Sequence, residues 1–149
     1  MKRLLLLVTF LAALVSPAAQ STKPLEVYFI DVEGGQATLI VTPSGDSMLI
    51  DTGYPGFEDR DANRVLATIK QAGLTKLDYL LVTHYHKDHA GNAAAIAAKV
   101  PIGTFIDHGE TVETTDEAKA LYADYLRRAR PVATCWRSPA ARSRSSIST

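Results

Sequence analysis

The chain has 149 residues, of which 46% are hydrophobic and 21% charged, a size that suits one globular domain and is too small for two ordinary ones. This composition excludes fibrous, collagen-like and wholly disordered proteins. Sixteen basic residues balance 16 acidic ones, but unevenly, because no acidic residue follows Asp124 and six arginines do. With those arginines and the cations Lys2 and Arg3 set aside, the body has 8 basic and 16 acidic residues. Such an acidic body argues against nucleic-acid binding.

The first 20 residues have the pattern of a secretory signal peptide. Lys2 and Arg3 precede the apolar run 4–15, and small residues follow it. This run is too short to cross a bilayer as a helix. We therefore predict a signal peptide at residues 1–18, cleavage after Ala18, and export to the periplasm or the medium with no membrane span in the mature chain. An uncleaved anchor and a buried first strand are the alternatives.

The next segment predicts an antiparallel meander of three strands. Apolar, β-branched and aromatic runs at 25–32 and 36–42 flank a turn at 33–35. A second turn, rich in Pro, Ser, Gly and Asp, leads into a third strand at 47–50.

Beyond residue 60 the pattern changes to alternating helices and strands, which makes the fold class α/β (α+β). Apolar residues recur at helical spacing up to residue 72, with Asp61 or Asn63 as the expected N-cap and Gly73 after the helix end. Four further elements are predicted: a strand buried on both faces at 77–83, an Ala-rich helix at 91–100, a second buried strand at 102–107 and a helix at 114–130 capped by Thr115.

Residues 131–149 differ in composition from the rest of the chain. They are rich in Ser, Arg, Ala and Pro and have no apolar period, which predicts a disordered basic tail. A change of reading frame near residues 132–134 would produce the same shift. Cys135, in this segment, is the single cysteine, so no disulfide can form within the chain.

The segment 83–92, THYHKDHAGN, carries the chemistry. His84, His86, Asp88 and His89 fall within six residues just after a predicted strand. In an extended backbone the first three can point to one side, and His89 turns toward them as the chain bends into the next helix. Neutral imidazoles and a carboxylate suit Zn²⁺, Fe²⁺ or Mn²⁺. The cluster predicts a metal site rather than a solvated polar loop.

The cluster matches in full the HxHxDH signature of the metallo-β-lactamase superfamily, which this sequence therefore resembles. The segment FIDVEGGQATLIVTPSGDSMLIDTG is similar to the opening of its exported, competence-protein-like branch. The resemblance covers about residues 25–130, taken here as one domain. It implies an αβ/βα sandwich of two similar halves, of which this chain would supply only the first half.

The resemblance also implies a division of roles within the site. His84 and His86 would hold a first metal and Asp88 and His89 a second, giving two zinc ions in a complete site, with iron or manganese as alternatives. Asp51 would lie beneath the site and orient a ligand. Two such metals generate hydroxide near neutral pH. The catalytic Asp88 would help to orient this hydroxide toward a small-molecule substrate.

Three further ligands that the resemblance implies, a third His, a bridging Asp and a last His, have no clear match downstream. His108 is the remaining histidine and a candidate ligand, although a substrate-side or structural role is favoured. We therefore expect the chain as written to bind at most one ion weakly and to show little hydrolysis.

The leading hypothesis is an exported metal-dependent hydrolase in truncated form. The alternatives are an inactive metal-binding fragment, a nucleic-acid-handling protein of the competence type and the product of a frameshifted gene. Half a sandwich would also expose one face of its sheet, which would allow self-association through that face.

Overall fold

The computed structural model of the chain describes residues 23–129. The predicted signal peptide at 1–18 and the predicted tail at 131–149, which includes Cys135, lie outside the described residues and stay predictions. Within 23–129, every helix is too short or too polar to cross a membrane.

Five strands form a single sheet in this part of the chain, and their order across the sheet is their order in the sequence. They are β1 (Glu26–Phe29), β2 (Thr38–Val41), β3 (Ser47–Ile50), β4 (Leu77–Leu81) and β5 (Ile102–Ile106). The pairs β1–β2 and β2–β3 are antiparallel, as the predicted meander requires, whereas β3–β4 and β4–β5 are parallel. The α/β class is thereby confirmed. The first two strands are shorter than the predicted runs because the connection between them turns toward a neighbouring loop, where the Gln36 N–H donates to the Asp88 carbonyl.

Four helices accompany the sheet over the same residues: α1 (Arg60–Gln71), α2 (Lys87–Ala90), α3 (Ala93–Ala97) and α4 (Asp116–Arg128). The cap of α4 is confirmed, since the Thr115 hydroxyl accepts a hydrogen bond from the Ala118 N–H. The predicted cap of α1 is wrong. Asp59 occupies that position without a side-chain bond, whereas Asp61 is buried and accepts from the Tyr54 N–H and from Arg60.

The segment after β4 also differs from its prediction, because α2 and α3 replace a single helix at 91–100. The Asn92 side chain interrupts the helix by donating to the carbonyls of Thr52 and Tyr54, both at 3.0 Å. These two hydrogen bonds to a segment distant in sequence outweigh the helix propensity of the alanines. A second correction follows, because Asp88 lies in α2 and does not continue the extended backbone of His84 and His86.

The buried core lies between the helices and one face of the sheet. Leu39, Leu49 and Leu80 are aligned across three strands, are fully buried and share a core cluster with Val65 of α1 and with α3. The opposite face carries Val27, Phe29 and Tyr79, which are 43%, 86% and 38% exposed. Strand β4 is therefore not buried on both faces, since the described helices cover only one of them. A sheet with helices on one face agrees with one half of the expected sandwich.

Candidate metal centre

The candidate site lies where the parallel strands β3 and β4 end. Asp51 follows β3 and Thr83 follows β4, so their side chains meet at the same edge of the sheet. The Asp51 N–H donates to the Leu81 carbonyl at 2.8 Å and extends the pairing of the two strands to this point. The carboxyl ends of parallel strands are where open α/β sheets place their ligand sites.

Asp51 is the hub of the hydrogen bonds at this edge. Its backbone is in the left-handed region, with φ of 57°, a conformation that Asp tolerates better than most residues, and its side chain is fully buried. Oδ1 accepts from the Thr83 N–H at 2.8 Å, and Oδ2 accepts from the Thr83 hydroxyl at 2.7 Å. Oδ2 also lies 2.8 Å from Nδ1 of His89. The carboxylate thus ties the two strand ends to α2.

These contacts define which ring nitrogens of His84 and His89 can bind a metal. A carboxylate only accepts, so His89 Nδ1 must carry the proton that faces Asp51, which leaves the lone pair on Nε2. The Thr83 hydroxyl donates to Asp51 and lies 3.2 Å from His84 Nδ1, so it can accept from that nitrogen. Burial lowers the pKa of His84, and the neighbouring His89 and His86 lower it further. Both imidazoles therefore present Nε2 to a metal, and the lowered pKa of His84 also favours the neutral form that binds metal.

Backbone contacts fix α2 from the side of the sheet. The His89 carbonyl accepts from the N–H and from the hydroxyl of Thr52, at 2.7 and 2.8 Å. The Asp88 carbonyl accepts from Gln36 in the β1–β2 connection at 3.0 Å. Gly35 packs so closely there that a Cβ atom at this position would lie 2.6 Å from the same carbonyl oxygen. Gly35 is therefore required by close packing, beyond the turn that the sequence predicts.

The structure brings together the four residues of the motif. The ring centroid of His84 lies 4.7 Å from that of His86 and 4.0 Å from that of His89. Asp88 Oδ2 is 3.6 Å from His89 Nε2, close to the spacing of two ligands on one ion with bonds of about 2.0–2.2 Å. The donor atoms of the motif thus suit a zinc-class ion in chemical type, and the Asp88–His89 pair also suits it in spacing. Among residues 23–129, however, no three His, Cys, Asp or Glu side chains form a ready metal-holding group.

The other side of the motif contacts the region of α4. His86 Nε2 lies 3.1 Å from Glu113 Oε1, in the loop between β5 and α4. Lys87 Nζ lies 2.9 Å from Glu117 Oε1 of α4 and 5.1 Å from the centre of the Tyr54 ring. Sequence reasoning missed Glu113 and Glu117, because contacts between distant segments leave no local pattern.

Tyr85, between the two leading histidines, points away from them into an aromatic cluster. It is 2% exposed, and its hydroxyl donates to the Gly109 carbonyl at 3.0 Å. Its ring contacts Tyr122 and Tyr125 of α4. Burial and the nearby Asp107 carboxylate raise the pKa of Tyr85, so its hydroxyl stays a donor. The sequence does contain one sign of this buried position, because an aromatic residue, Tyr85, alternates with the polar residues His84 and His86.

His108 lies apart from the other histidines. Its ring contact in the described part of the chain is with Tyr85, at 5.1 Å between centroids, and the residue is exposed. The structure therefore places it at the edge of the aromatic cluster, on the far side of Tyr85.

A pocket of about 280 Å³ opens between the motif and α4. Its lining includes His86 and Asp88 on one side and Thr115, Glu117 and Leu121 on the other. It combines apolar walls with polar groups next to two candidate ligands, the composition expected of a small-molecule site.

Comparison with known proteins identifies the family. The model of the metallo-beta-lactamase superfamily matches residues 30–142, which is more than half of the chain. The chain is 32% identical over 89 residues to a UPF0173 metal-dependent hydrolase of Herpetosiphon aurantiacus, covering 55% of the chain and 34% of that protein. It is 36% identical over 53 residues to a coenzyme F420H(2) oxidase of Methanothermobacter marburgensis, covering 36% of the chain and 13% of that protein. The chain thus spans about a third, or less, of the length of these relatives.

Two solved structures match the chain in part. One is the metallo-beta-lactamase SMB-1 bound to 2-mercaptoethanesulfonate, with a TM-score of 0.44, 27% identity, and coverage of 54% of this chain and 29% of that one. Another is a Cronobacter sakazakii metallo-beta-lactamase with an HARLDQ motif, with the same TM-score and identity and coverage of 54% and 30%.

Proposed function

The chain belongs to the metallo-beta-lactamase superfamily, and on this premise we propose that it carries the metal-binding loop of a metal-dependent hydrolase. The ligands would be His84, His86, Asp88 and His89. The observation that carries the proposal is the network around Asp51, which leaves Nε2 of His84 and of His89 free for a metal. The name of the Herpetosiphon relative, a metal-dependent hydrolase, supports the same reaction class.

The residues of the proposed site would have different roles. A bound zinc-class ion supplies acidity to a water ligand, whose pKa falls toward ~7, and polarises an oxygen of the substrate. In a complete two-metal site, His84 and His86 would hold one ion, and Asp88 and His89 would hold the other. Asp51 keeps the proton of His89 on Nδ1, and the Asp88 carboxylate would orient the attacking water.

The pocket beside His86 and Asp88 would receive a small-molecule substrate. Two of its charged groups, Lys87 and Glu117, are already paired with each other, and Asp88 adds one further negative charge to the lining. The apolar wall that includes Leu121 of α4 would contact the uncharged part of the substrate.

We further propose that the chain holds one ion rather than two and that this ion is bound weakly. The basis is that no three donor side chains among residues 23–129 converge on one position. An ion with fewer than three protein ligands keeps additional water and dissociates more readily.

Zinc titration of the full chain by calorimetry tests this function, together with hydrolysis of chromogenic β-lactam, ester and phosphodiester substrates. We expect His84→Ala and His89→Ala each to abolish measurable zinc binding. His108→Ala is the matched control, since its imidazole lies outside the cluster, and it should bind zinc as the unchanged chain does. Equal loss of binding in all three variants, or zinc binding that none of them affects, would contradict the assignment.

A further inference from the structure

The face of the sheet that the helices leave open is apolar across its whole width. Side chains alternate between the two faces of a strand, so the register of the five strands shows which residues share this face. One row of aligned positions crosses all five strands: Val27, Ile40, Met48, Tyr79 and Thr104. Val27 is 43% exposed and Tyr79 is 38% exposed. Four of the five positions in this row are apolar or aromatic.

A second row runs beside the first on the same face: Phe29, Thr38, Ile50, Leu81 and Ile106. Phe29, on the edge strand β1, is 86% exposed, whereas Thr38 is buried and accepts a hydrogen bond from the Gln36 side chain. The two rows form a ten-residue face in which eight positions are apolar or aromatic and none is charged. An antiparallel sheet with one face in water normally has polar residues there, so this face is suited to being covered.

The charge of the strands limits what can cover the ten-residue face. The five strands contain no Lys or Arg, and their two acidic residues, Glu26 and Asp78, occupy the alternate positions. A nucleic acid or an acidic peptide would find no opposite charge here. Binding to a lipid surface typically uses Lys and Arg beside the apolar residues, and these strands have none. A second copy of the same face is compatible with this composition, because uncharged residues then contact uncharged residues.

The exposed area of the face is sufficient for a dimer. Val27, Phe29 and Tyr79 together expose roughly 300 Å², for side chains of about 150–250 Å² each. The half-buried members of the face raise the total to roughly 600 Å² per chain, so that two copies would bury about 1,200 Å², the lower end of the range for specific interfaces. Twisted sheets stack face to face about 10 Å apart. A two-fold pair of this kind is closed, because each copy uses the same surface.

We propose that the ten-residue face is a homodimer interface, through which two copies of the chain pack sheet against sheet. The contact uses no residue of the candidate metal loop, so the inference does not rest on the proposed function. The partner would cover Phe29 and Tyr79, the most exposed aromatic residues of the face. Because the buried area is small for a stable dimer, the pair should dissociate on dilution.

Sedimentation velocity of the full chain tests the proposal between about 1 and 100 μM, a range in which an interface of this size can dissociate. We expect dimers at the higher concentrations and monomers at the lower ones. Phe29→Lys, and Tyr79→Lys on another strand, place a charge in the face and should each raise the dissociation constant at least about tenfold. Val112→Lys is the matched control, because Val112 is also 86% exposed but lies in the loop between β5 and α4. It should dimerise as the unchanged chain does.

Circular dichroism verifies that each variant is folded, and Phe29 is exposed enough for Lys to be accommodated in a monomer. Monomers at every concentration, particles larger than a dimer, or equal dimerisation of the Phe29→Lys and Val112→Lys variants would each overturn the proposal. Binding of a monomeric chain to phosphatidylcholine vesicles, if Phe29→Lys abolished it, would also overturn the proposal, since a lipid surface would then be the occupant of the face.

The salt dependence of the dimer distinguishes this face from a contact between charged segments. Because the face is uncharged, the dissociation constant should rise less than about threefold between roughly 0.05 and 0.5 M sodium chloride. A larger rise would assign the contact to charged residues, such as the acidic body of one copy and the six arginines after Asp124 of the other, and the interface proposed here would be wrong.

Discussion

The candidate metal loop has two sides that different parts of the fold hold in place. On the side of the sheet, His84 and His89 contact Thr83 and Asp51, and Asp51 is fully buried at the end of a strand. On the side of α4, His86 contacts Glu113, whose side chain is 34% exposed in a loop. Strand ends are fixed by many shared hydrogen bonds, whereas a loop can move with less cost. The sheet side should therefore be preorganised, and the α4 side should depend on a few individual contacts.

The largest expected effect comes from removing the hub of the sheet side. Asp51→Ala removes a fully buried carboxylate that accepts from the Thr83 N–H and the Thr83 hydroxyl and lies next to His89 Nδ1, groups that are themselves only partly buried. We expect a loss of about 3 kcal/mol in the free energy of unfolding, measured by urea denaturation, because three hydrogen bonds are lost, each with a net contribution of about 1 kcal/mol. Zinc binding should be lost as well.

Two variants serve as controls for this prediction. Asp51→Asn keeps the shape and tolerates the left-handed backbone, so it separates loss of charge from backbone strain. Asp124→Ala removes a carboxylate from an exposed ion pair with Arg127 and should cost under about 1 kcal/mol. If Asp51→Ala is no more destabilising than Asp124→Ala, the sheet side is not preorganised by Asp51.

The sequence predicts the sheet side better than the α4 side, for a physical reason. The grouping of His84 with His86 follows from alternation along an extended chain, and the position of Asp51 follows the end of a predicted strand. Glu113 and Tyr85 act through contacts with a segment distant in sequence, and no local periodicity indicates such a contact. The interruption at Asn92 was missed for the same reason, since its partners, Thr52 and Tyr54, belong to another loop.

An intermediate effect is expected at Gly35, where the β1–β2 connection supports the sheet side. Gly35→Ala places a Cβ 2.6 Å from the Asp88 carbonyl oxygen and 3.3 Å from the Cα of Gly53, so backbone atoms must shift. We expect a loss of about 2 kcal/mol in stability, since overpacking typically costs 1–3 kcal/mol, with weaker zinc binding because Asp88 moves.

Gly34→Ala is the matched control for this prediction, because a Cβ there meets nothing within 4 Å. Its stability should stay within about 0.5 kcal/mol of the unchanged chain. Equal stability and equal zinc affinity for the two alanine variants would show that the β1–β2 connection can shift without moving Asp88. The sheet side would then be held by Asp51 and Thr52 without a contribution from Gly35.

The smallest effect is expected on the α4 side, at the hydroxyl of Tyr85. Tyr85→Phe keeps the ring in its aromatic cluster and removes only the hydrogen bond to Gly109. The Gly109 carbonyl then lacks this donor, and we expect a loss of about 1 kcal/mol, the usual net contribution of one such bond. Tyr79→Phe, on the uncovered face of the sheet, is the control and should change stability by less than about 0.5 kcal/mol.

Because the bond joins the loop of Glu113 to the residue before His86, hydrogen exchange in segment 107–114 should become faster in Tyr85→Phe, whereas exchange at Asp51 and Thr52 should not change. Faster exchange at both places would mean that the two sides of the metal loop open together, and the distinction between a preorganised side and a dependent one would then be wrong.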